Sequence, residues 1–482
     1  MKMKRILPGF LAALVSVTLL GCVAGPERAR DVSPSASQPW TPPAREAEAK
    51  GVKPAYEIPS ELAQKKWGLK EVLEVSLANN PATRAAWHDA KAAAAREGIA
   101  SSAELPKVTA SAGLNYKETN DTGKDFVSKQ TSLAPALTLS WLLLDFGSRD
   151  ASEESARSAL LAANWTQNKV IQDTVLQTSR AYYLYLSTKA LLSARQKNLE
   201  RAETILKAAE ARHEAGVATK ADVLSARTAV SQAKLALQTV EGQIATTRGG
   251  LASAMGLPAN LPFDIEELPG NVPFESVAGN VDSLIEEALD RRPDLFAARE
   301  QAKAASAQVA KARGDGLPTL SLNASTGVTW YDVNESKKNT AVDRREDSYS
   351  VGLLLQYPLF TGYYDTYNVE RAREEAKSAK ERERGLAQQI IFQVYAGYYT
   401  LVTAGEKVKT SDDLLTSAQE AEEVALGRYQ EGVGTIVDLL TAQAALFDAR
   451  SQGVQTRWEW YTSLAQLAHD TGLLGLHGES NL

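Results

Sequence analysis

Few residues in this chain are of the types that usually carry out chemistry. The 482 residues include one cysteine and four histidines, namely Cys22, His88, His213, His469 and His477. No histidine has a metal-binding residue four positions later, and the motifs HExxH, Walker A, GxSxG and CxxC do not occur. We therefore predict no catalytic residue, no metal site, no cofactor and no enzyme activity. The formal net charge of −6, without a dense basic patch, argues against a nucleic-acid partner.

The position of Cys22 gives its thiol a chemical context. The stretch at 2–5 is basic, the stretch at 6–20 is apolar, and the sequence then reaches Gly-Cys, which is typical of a secretory signal peptide. Small residues before a lone cysteine resemble the bacterial lipobox, which implies cleavage before Cys22 and lipidation of the new amino terminus. Val23 stands where an aspartate would resemble an inner-membrane retention signal, so the outer membrane is favoured. The alternative is an ordinary signal peptide with an unrelated cysteine.

Two aspartates lie in a phrase that the chain contains twice. RHEAGVATKADVLSAR occupies 212–227 and RYQEGVGTIVDLLTAQ occupies 428–443, each shared residue recurring 216 positions later. Glycine commonly ends a helix, and the pattern Thr-x-x-Asp, which ends in Asp222 and in Asp438, is typical of a capping box that starts the next helix. Each phrase is therefore predicted to be the tip of a helical hairpin.

Long helices must position these tips. We predict helices at 149–214, 219–255, 365–430 and 435–471, because these stretches lack proline and their apolar residues recur at spacings of three and four. A helix of about 65 residues would be about 100 Å long. The same spacing indicates that neighbouring helices pack like a coiled coil.

Four other segments alternate between apolar and small polar residues. They are predicted as strands at 107–117, 131–144, 319–331 and 347–360, joined by polar loops at 117–130 and 332–346. This alternation is typical of a transmembrane β-barrel, with lipid outside and water inside. A water-exposed antiparallel sheet with one solvated face is the alternative.

A barrel of this kind requires several chains. Unpaired strand edges are not tolerated in hydrocarbon, and spanning barrels need at least about eight strands. Four strands per chain allow a dimer, a trimer or a tetramer, and the small residues on the polar face favour about twelve strands or more around an open lumen.

These segments occur in the same order twice, so the chain has an internal two-fold repeat. The predicted organisation is a signal peptide at 1–21, a lipidated tether at 22–66, repeat 1 at 67–257, a linker at 258–281, repeat 2 at 282–475 and a tail at 476–482.

The lipobox, the two-fold repeat, the paired strands and the two tip phrases together resemble the TolC-like outer-membrane efflux protein family, over 67–475. The resemblance implies an α+β membrane protein that is mostly α. Three chains would form a 12-stranded barrel, continuous with a long periplasmic coiled-coil tunnel. Such a homotrimer is an exit duct that works with a periplasmic adaptor and an inner-membrane transporter.

The resemblance also implies roles for individual residues. An adaptor would dock at the tips, on Gly216, Val217, Ala218, Gly432, Val433 and Gly434. A periplasmic gate would involve Tyr429, Asp222 and Asp438. The simpler interpretation is that the glycines only turn the chain, the aspartates only cap helices and Tyr429 only packs. Gly434 and Thr441 depart from the family pattern, because a basic and an acidic residue can strengthen the closed gate at these positions.

Three functions remain open at this point. The first is the outlet of a tripartite pump that exports small toxic molecules or ions, and the second is the outlet of a type I protein secretion system. The third is a lipid-anchored coiled-coil scaffold that transports nothing, which the four alternating strands disfavour. His213 differs from Tyr429 in the other copy and is expected to be a surface residue.

Overall fold

The computed structural model describes residues 66–121, 126–266, 280–335 and 340–474. Cys22, the predicted signal peptide, the tail at 476–482 and nearly all of the predicted tether lie outside the described residues, as does 267–279 within the linker.

The described elements occur in the same order in both halves of the chain. The first half contains α1 (Leu69–Asn79), α2 (Pro81–Ser101), β1 (Lys107–Asp121), β2 (Phe126–Leu144), α3 (Ser148–Glu214) and α4 (Lys220–Ala254). The second half contains α5 (Val281–Arg291), α6 (Pro293–Gly314), β3 (Thr319–Glu335), β4 (Thr340–Gln356), α7 (Tyr364–Gln430) and α8 (Ile436–Asp470). Each of the four long helices differs from its predicted bounds by no more than about one residue at either end.

The helices α3 and α4 form hairpin 1, and α7 and α8 form hairpin 2. Both α3 and α7 have 67 residues, which corresponds to about 100 Å of helix. Within hairpin 2, Ile390, Val394 and Leu401 of α7 pack with Trp460 and Leu467 of α8. No helix in the described part of the chain is long and apolar enough to cross a membrane.

The four strands form one antiparallel sheet in the order β1-β2-β3-β4. Its register sorts the side chains by face. Thr109, Thr138, Ser325 and Ser350 lie opposite one another in one row across the sheet. The adjacent row contains Val108, Leu139, Ala324 and Val351 and belongs to the other face. Small polar residues therefore line one face, and the apolar face is exposed, with Val351 77% and Val108 65% accessible.

The strand predictions were too short at one end of the sheet. β1 continues to Asp121 and β2 begins at Phe126, so the predicted loop at 117–130 is mostly strand. The predicted loop at 332–346 is likewise mostly part of β3 and β4. Polar side chains do not interrupt a ladder whose backbone groups are paired, and an exposed hairpin needs no apolar pattern to continue.

β4 ends at Gln356, whereas the prediction continued to 360. Gln356 pairs with Thr319, the first residue of β3, so among the described residues β4 has no strand partner beyond this point.

Candidate functional site at the two hairpin tips

The turn of tip 1 (212–222) is set by its glycine. Gly216 has a φ of +75°, a left-handed conformation that side chains disfavour. Its amide donates to the carbonyl of His213 at 2.9 Å, and the Val217 amide donates to the carbonyl of Arg212 at 2.9 Å. This pair of hydrogen bonds is the Schellman motif that ends many helices.

Tip 2 (428–438) repeats the motif. Gly432 has a φ of +81°, its amide donates to the Tyr429 carbonyl at 3.2 Å, and the Val433 amide donates to the Arg428 carbonyl at 2.9 Å. The predicted turning role of both glycines is therefore present, and Val217 and Val433 remain exposed at 64% and 70%.

Both aspartates of the repeated phrase cap the helix that follows the tip. The Thr219 hydroxyl accepts from the Asp222 amide at 3.2 Å, and the Asp222 carboxylate accepts from the Thr219 amide at 2.7 Å. In tip 2 the Thr435 hydroxyl accepts from the Asp438 amide at 3.1 Å, and the Asp438 carboxylate accepts from the Thr435 amide at 3.3 Å. Hydrogen bonds from the Thr435 hydroxyl and amide lower the pKa of Asp438, so this carboxylate is ionised at neutral pH.

A side chain at Gly434 would be crowded and would require its neighbours to shift. A Cβ atom at this position would lie 3.0 Å from the Cβ of Arg428 and 3.2 Å from the Tyr429 amide nitrogen. Ala218 occupies the corresponding position of tip 1 and its carbonyl lies 2.8 Å from Nδ1 of His213, which is exposed as predicted. The two tips therefore share a backbone design but differ in how tightly the chain packs.

A groove of about 410 Å³ opens beside tip 2. Small residues and three charged residues line it, namely Ser417, Glu420, Ala421, Val424, Ala425, Arg428, Gly434 and Asp438. The structure thus brings two of the predicted site residues, Gly434 and Asp438, to one surface.

Tyr429 is placed elsewhere, inside the contact between the two hairpins. Its side chain is buried, at 4% exposure, in a cluster with Ile205, Ala209, Ala226, Ile436 and Leu439. Burial raises the pKa of Tyr429, Arg212 opposes this rise, and the negative charge of Asp222 adds to it. The hydroxyl group is buried and has no hydrogen-bond partner among the described residues.

Three charged residues that sequence analysis did not single out join the hairpins. Nη1 of Arg212 donates to the carbonyls of Tyr429 and Gln430 at 2.8 and 3.1 Å. Arg201 forms a two-point ion pair with Glu422, at 2.8 and 2.9 Å. One signal for Glu422 was available, because it falls between Ala418 and Tyr429 on the buried stripe of α7, where a carboxylate needs a partner.

No cluster of three or more His, Cys, Asp or Glu side chains in the described ranges could hold a metal ion.

Comparison with known proteins gives the chain its family. The model of the family described as outer membrane efflux protein matches 72–257 and again 284–473. The chain belongs to the outer membrane efflux protein family. The sequence-based assignment to TolC-like proteins is thereby confirmed, and this efflux protein is an outer-membrane protein. The two matches cover the same succession of elements in each half.

Two curated relatives and one solved structure illustrate the similarity of the efflux protein. Protein CyaE of Bordetella pertussis is 29% identical over 413 residues, which is 84% of each chain. The toluene efflux pump outer membrane protein TtgF of Pseudomonas putida is 26% identical over 479 residues, which is 95% of each chain. The outer-membrane channel OprN superposes with a TM-score of 0.73 at 21% identity, over 84% of this chain and 89% of OprN, which indicates a shared fold.

Proposed function

We propose that this outer-membrane efflux protein is the passive exit duct of a tripartite pump. It would carry small toxic molecules or ions from an inner-membrane transporter and a periplasmic adaptor to the exterior. The observation that carries this proposal is one chain in which a sheet with an exposed apolar face continues into two hairpins of about 100 Å. A scaffold without transport would not need such a sheet.

The sheet supports a homotrimer. Within the described residues, β1 pairs only with β2 and β4 only with β3, so each chain presents two free strand edges. Those edges have to be paired in hydrocarbon, and three chains would close a barrel of about twelve strands. The apolar face would contact lipid, and the row that contains Ser325 and Ser350 would line the lumen. Lipidation of Cys22 would add an anchor in the same membrane.

The tips would contact the adaptor. The groove beside Gly434 and the exposed Val217 and Val433 give a helical partner small, accessible surfaces at the far end of each hairpin. Gly216, Ala218 and Gly432 would keep the backbone thin there.

Tyr429, Asp222 and Asp438 would take part in the periplasmic gate when three chains meet. The capping contacts of both aspartates are compatible with this role, because a capping carboxylate retains its charge. The unpartnered hydroxyl of Tyr429 is the group that a neighbouring chain or a water molecule would satisfy. Tyr429→Phe and Asp438→Ala should therefore raise the conductance of the closed duct in a planar bilayer, and unchanged conductance in both would remove these residues from the gate.

The cargo proposal rests on relatives. TtgF is named as the outer membrane protein of a toluene efflux pump, and the chain resembles it along 95% of its length. We therefore favour small molecules over a secreted protein as the cargo.

A matched pair of substitutions tests the duct itself. Val351 lies on the apolar face and Ser350, its neighbour, lies on the polar face. Lysine at position 351 should destabilise the membrane-inserted state by about 2–4 kcal/mol, whereas lysine at position 350 should face water. The expected result is that Val351→Lys yields no heat-modifiable trimer or channel conductance and that Ser350→Lys yields both. Equal behaviour of the two variants, or a wild-type protein without conductance, would contradict the proposal.

A second experiment addresses the adaptor. Photo-reactive or thiol crosslinkers at Val217→Cys and Val433→Cys should capture one periplasmic protein, whereas Leu235→Cys, an exposed position higher on hairpin 1, should not. Capture at Leu235 alone would place the adaptor away from the tips.

A further inference from the structure

In the polar contacts that join the two hairpins near their tips, the arginines come from hairpin 1 and the acceptors from hairpin 2. Arg201 and Arg212 lie about three helical turns apart on α3, and both reach across to α7. At the positions in hairpin 2 that correspond to Arg201 and Arg212, 216 residues later, the chain has Ser417 and Arg428. Leu206 stands at the position that corresponds to Glu422. Hairpin 1 therefore supplies both arginines and hairpin 2 receives them.

The contact made by Arg201, which lies farther from the tips than Arg212, is a two-point ion pair. Nε of Arg201 donates to one Glu422 oxygen at 2.8 Å and Nη2 donates to the other at 2.9 Å. The Glu422 side chain is only 3% exposed and the Arg201 side chain is 37% exposed. Because a buried carboxylate needs a partner, Glu422 fixes where α7 can lie relative to α3.

The contact made by Arg212, nearer the tips, caps the carboxyl end of α7 in hairpin 2. The Arg212 guanidinium donates to the carbonyls of Tyr429 and Gln430, the last two residues of α7. The Tyr429 carbonyl also accepts from the Gly432 amide, so Arg212 adds a second donor there. A positive charge at the carboxyl end of α7 also interacts favourably with the helix dipole. The same guanidinium lies 4.9 Å from the centre of the Tyr429 ring.

Apolar packing fills the space between the two arginines. Ile205 and Ala209, on α3 between Arg201 and Arg212, pack in the cluster that buries Tyr429. The final turns of α7 from Glu422 to Gln430 are thus held at both ends by arginine and in the middle by side-chain packing.

Arg428 cannot provide the reverse contact. Its Cβ atom lies against Gly434, and its side chain lines the groove beside tip 2. Neither Gly434 nor Thr441 can donate a charge to a closed gate. Arg201 and Arg212 are therefore the arginines of hairpin 1 that contact the final turns of α7.

We propose that Arg201 and Arg212 are positioning residues of the periplasmic gate, which hold the tip of hairpin 2 against hairpin 1 in the closed duct. This inference rests on the proposed function as a gated duct. Opening would require the tip of hairpin 2 to move away from hairpin 1 and would break both contacts. The Arg201–Glu422 pair would then be the stronger attachment, because its carboxylate is buried.

The experiment compares ion pairs between hairpins with one inside a hairpin. Arg201→Gln and Glu422→Gln each remove the pair between the hairpins, and the double exchange Arg201→Glu with Glu422→Arg restores it in reverse. Arg457→Gln is the matched control, because Arg457 pairs with Asp412 at 2.6 Å inside hairpin 2. The readouts are the closed-state potassium chloride conductance of trimers in planar bilayers and amide hydrogen exchange at 422–430 in the solubilised protein.

We expect each single variant to raise the open fraction and the exchange rate at 422–430 about tenfold, with recovery in the double exchange and no change in Arg457→Gln. Arg212→Lys should give a smaller rise, since an ammonium group matches two carbonyls less well than a guanidinium.

Unchanged exchange and conductance in Arg201→Gln, or an equal effect of Arg457→Gln, would overturn the proposal while leaving the duct intact. If Arg201→Gln raises amide exchange at 422–430 but the wild-type protein shows no conductance, the attachment between the hairpins is supported and the proposed duct is refuted.

Discussion

Tip 1 and tip 2 have the same backbone and different surroundings. Both use a left-handed glycine, a Schellman motif and a Thr-Asp capping box. In tip 2, Tyr429 and Ile436 are buried at 4% and 3% exposure, whereas His213 and Lys220, which occupy the corresponding positions in tip 1, are exposed. The glycine and the capping residues that the turn requires are the same in both tips. The side chains at the two compared positions differ, because those of tip 2 are buried against hairpin 1 and those of tip 1 are exposed.

This difference gives the tips separate physical roles. Tip 1 supplies the cation that caps α7, and tip 2 supplies the apolar side chains and the close backbone contact at Gly434. An equivalent change at corresponding positions should therefore have unequal effects wherever a side chain is involved, and equal effects wherever only the turn is involved.

The largest inequality is expected for removal of an aromatic ring. Tyr429→Ala should destabilise the tip region by about 3–5 kcal/mol because it opens a cavity in the cluster between the hairpins. His213→Ala should change stability by no more than about 0.5 kcal/mol, because His213 is exposed. Amide hydrogen exchange of 200–230 and 420–445 measures both. Comparable losses in the two variants would mean that the tips are equivalent.

Overpacking should give the next largest inequality. Gly434→Val would force a side chain against Arg428 and the Tyr429 backbone, and we expect a destabilisation of about 1–3 kcal/mol together with loss of dye export. Ala218→Val, its counterpart, should retain both export and trimer assembly. Export of ethidium from cells that carry each variant in place of the wild-type chain distinguishes these outcomes. Normal export by Gly434→Val would show that tip 2 can rearrange.

The comparison extends to the opposite ends of α4 and α8. His469, near the end of α8, lies 2.9 Å from Asp173 of α3 and 3.0 Å from Asp470, whereas Ser253 occupies the corresponding position of α4. Burial alone would lower the pKa of His469, but hydrogen bonds to both carboxylates outweigh it and the pKa is raised. Both ring nitrogens face carboxylates, so the protonated imidazolium satisfies both contacts.

Because the folded pKa of His469 exceeds the unfolded value of about 6.5, this stabilisation is fully present below about pH 6.5 and disappears as pH rises through the folded pKa. His469→Gln should therefore be less stable than the wild type by about 1–2 kcal/mol at acidic pH and should approach it at alkaline pH. Thermal unfolding at a series of pH values tests this, with Ser253→Gln as the control. A constant difference across pH would show that His469 acts only through packing.

The smallest inequality, close to none, is expected for the caps. Thr219→Ala and Thr435→Ala each remove the same helix-capping hydrogen bonds, so each should cost about 1 kcal/mol. Local hydrogen exchange at 220–224 and 436–440 is the measurement. A cost at one tip that exceeds the other severalfold would indicate that one threonine has a further partner in the assembled protein.

Sequence reasoning recovered the parts of the tips that depend on local chemistry. Glycine and Thr-x-x-Asp signals specify a turn through neighbouring residues, so the ends of α3 and α7 and the starts of α4 and α8 could be located. The strand ends within 117–130 and 332–346 could not be located, because these segments are polar on both faces. They therefore lack the alternation of apolar and polar residues that indicates a strand.

The contacts between hairpins were also out of reach. Arg201 and Glu422 are separated by 221 positions, and the chain contains 53 basic and 59 acidic residues from which a pair could be formed. Only the burial of one carboxylate selects Glu422, and burial on that face follows from the packing of hairpin 2 against hairpin 1, in which α3 lies mainly against α8. The direction of the arginine contacts is therefore a property of tertiary structure.

The two free edges of the sheet have a consequence for biogenesis. Within the described residues, β1 and β4 each have one edge without a strand partner, and a broad apolar surface lies between them. If the proposed barrel forms, a lone subunit would leave both edges unpaired in lipid, so insertion and association would be coupled at the bilayer. If three subunits make each ring, one subunit with a defective strand would prevent closure of the ring that it joins. The yield of intact rings would then fall as the third power of the fraction of wild-type subunits.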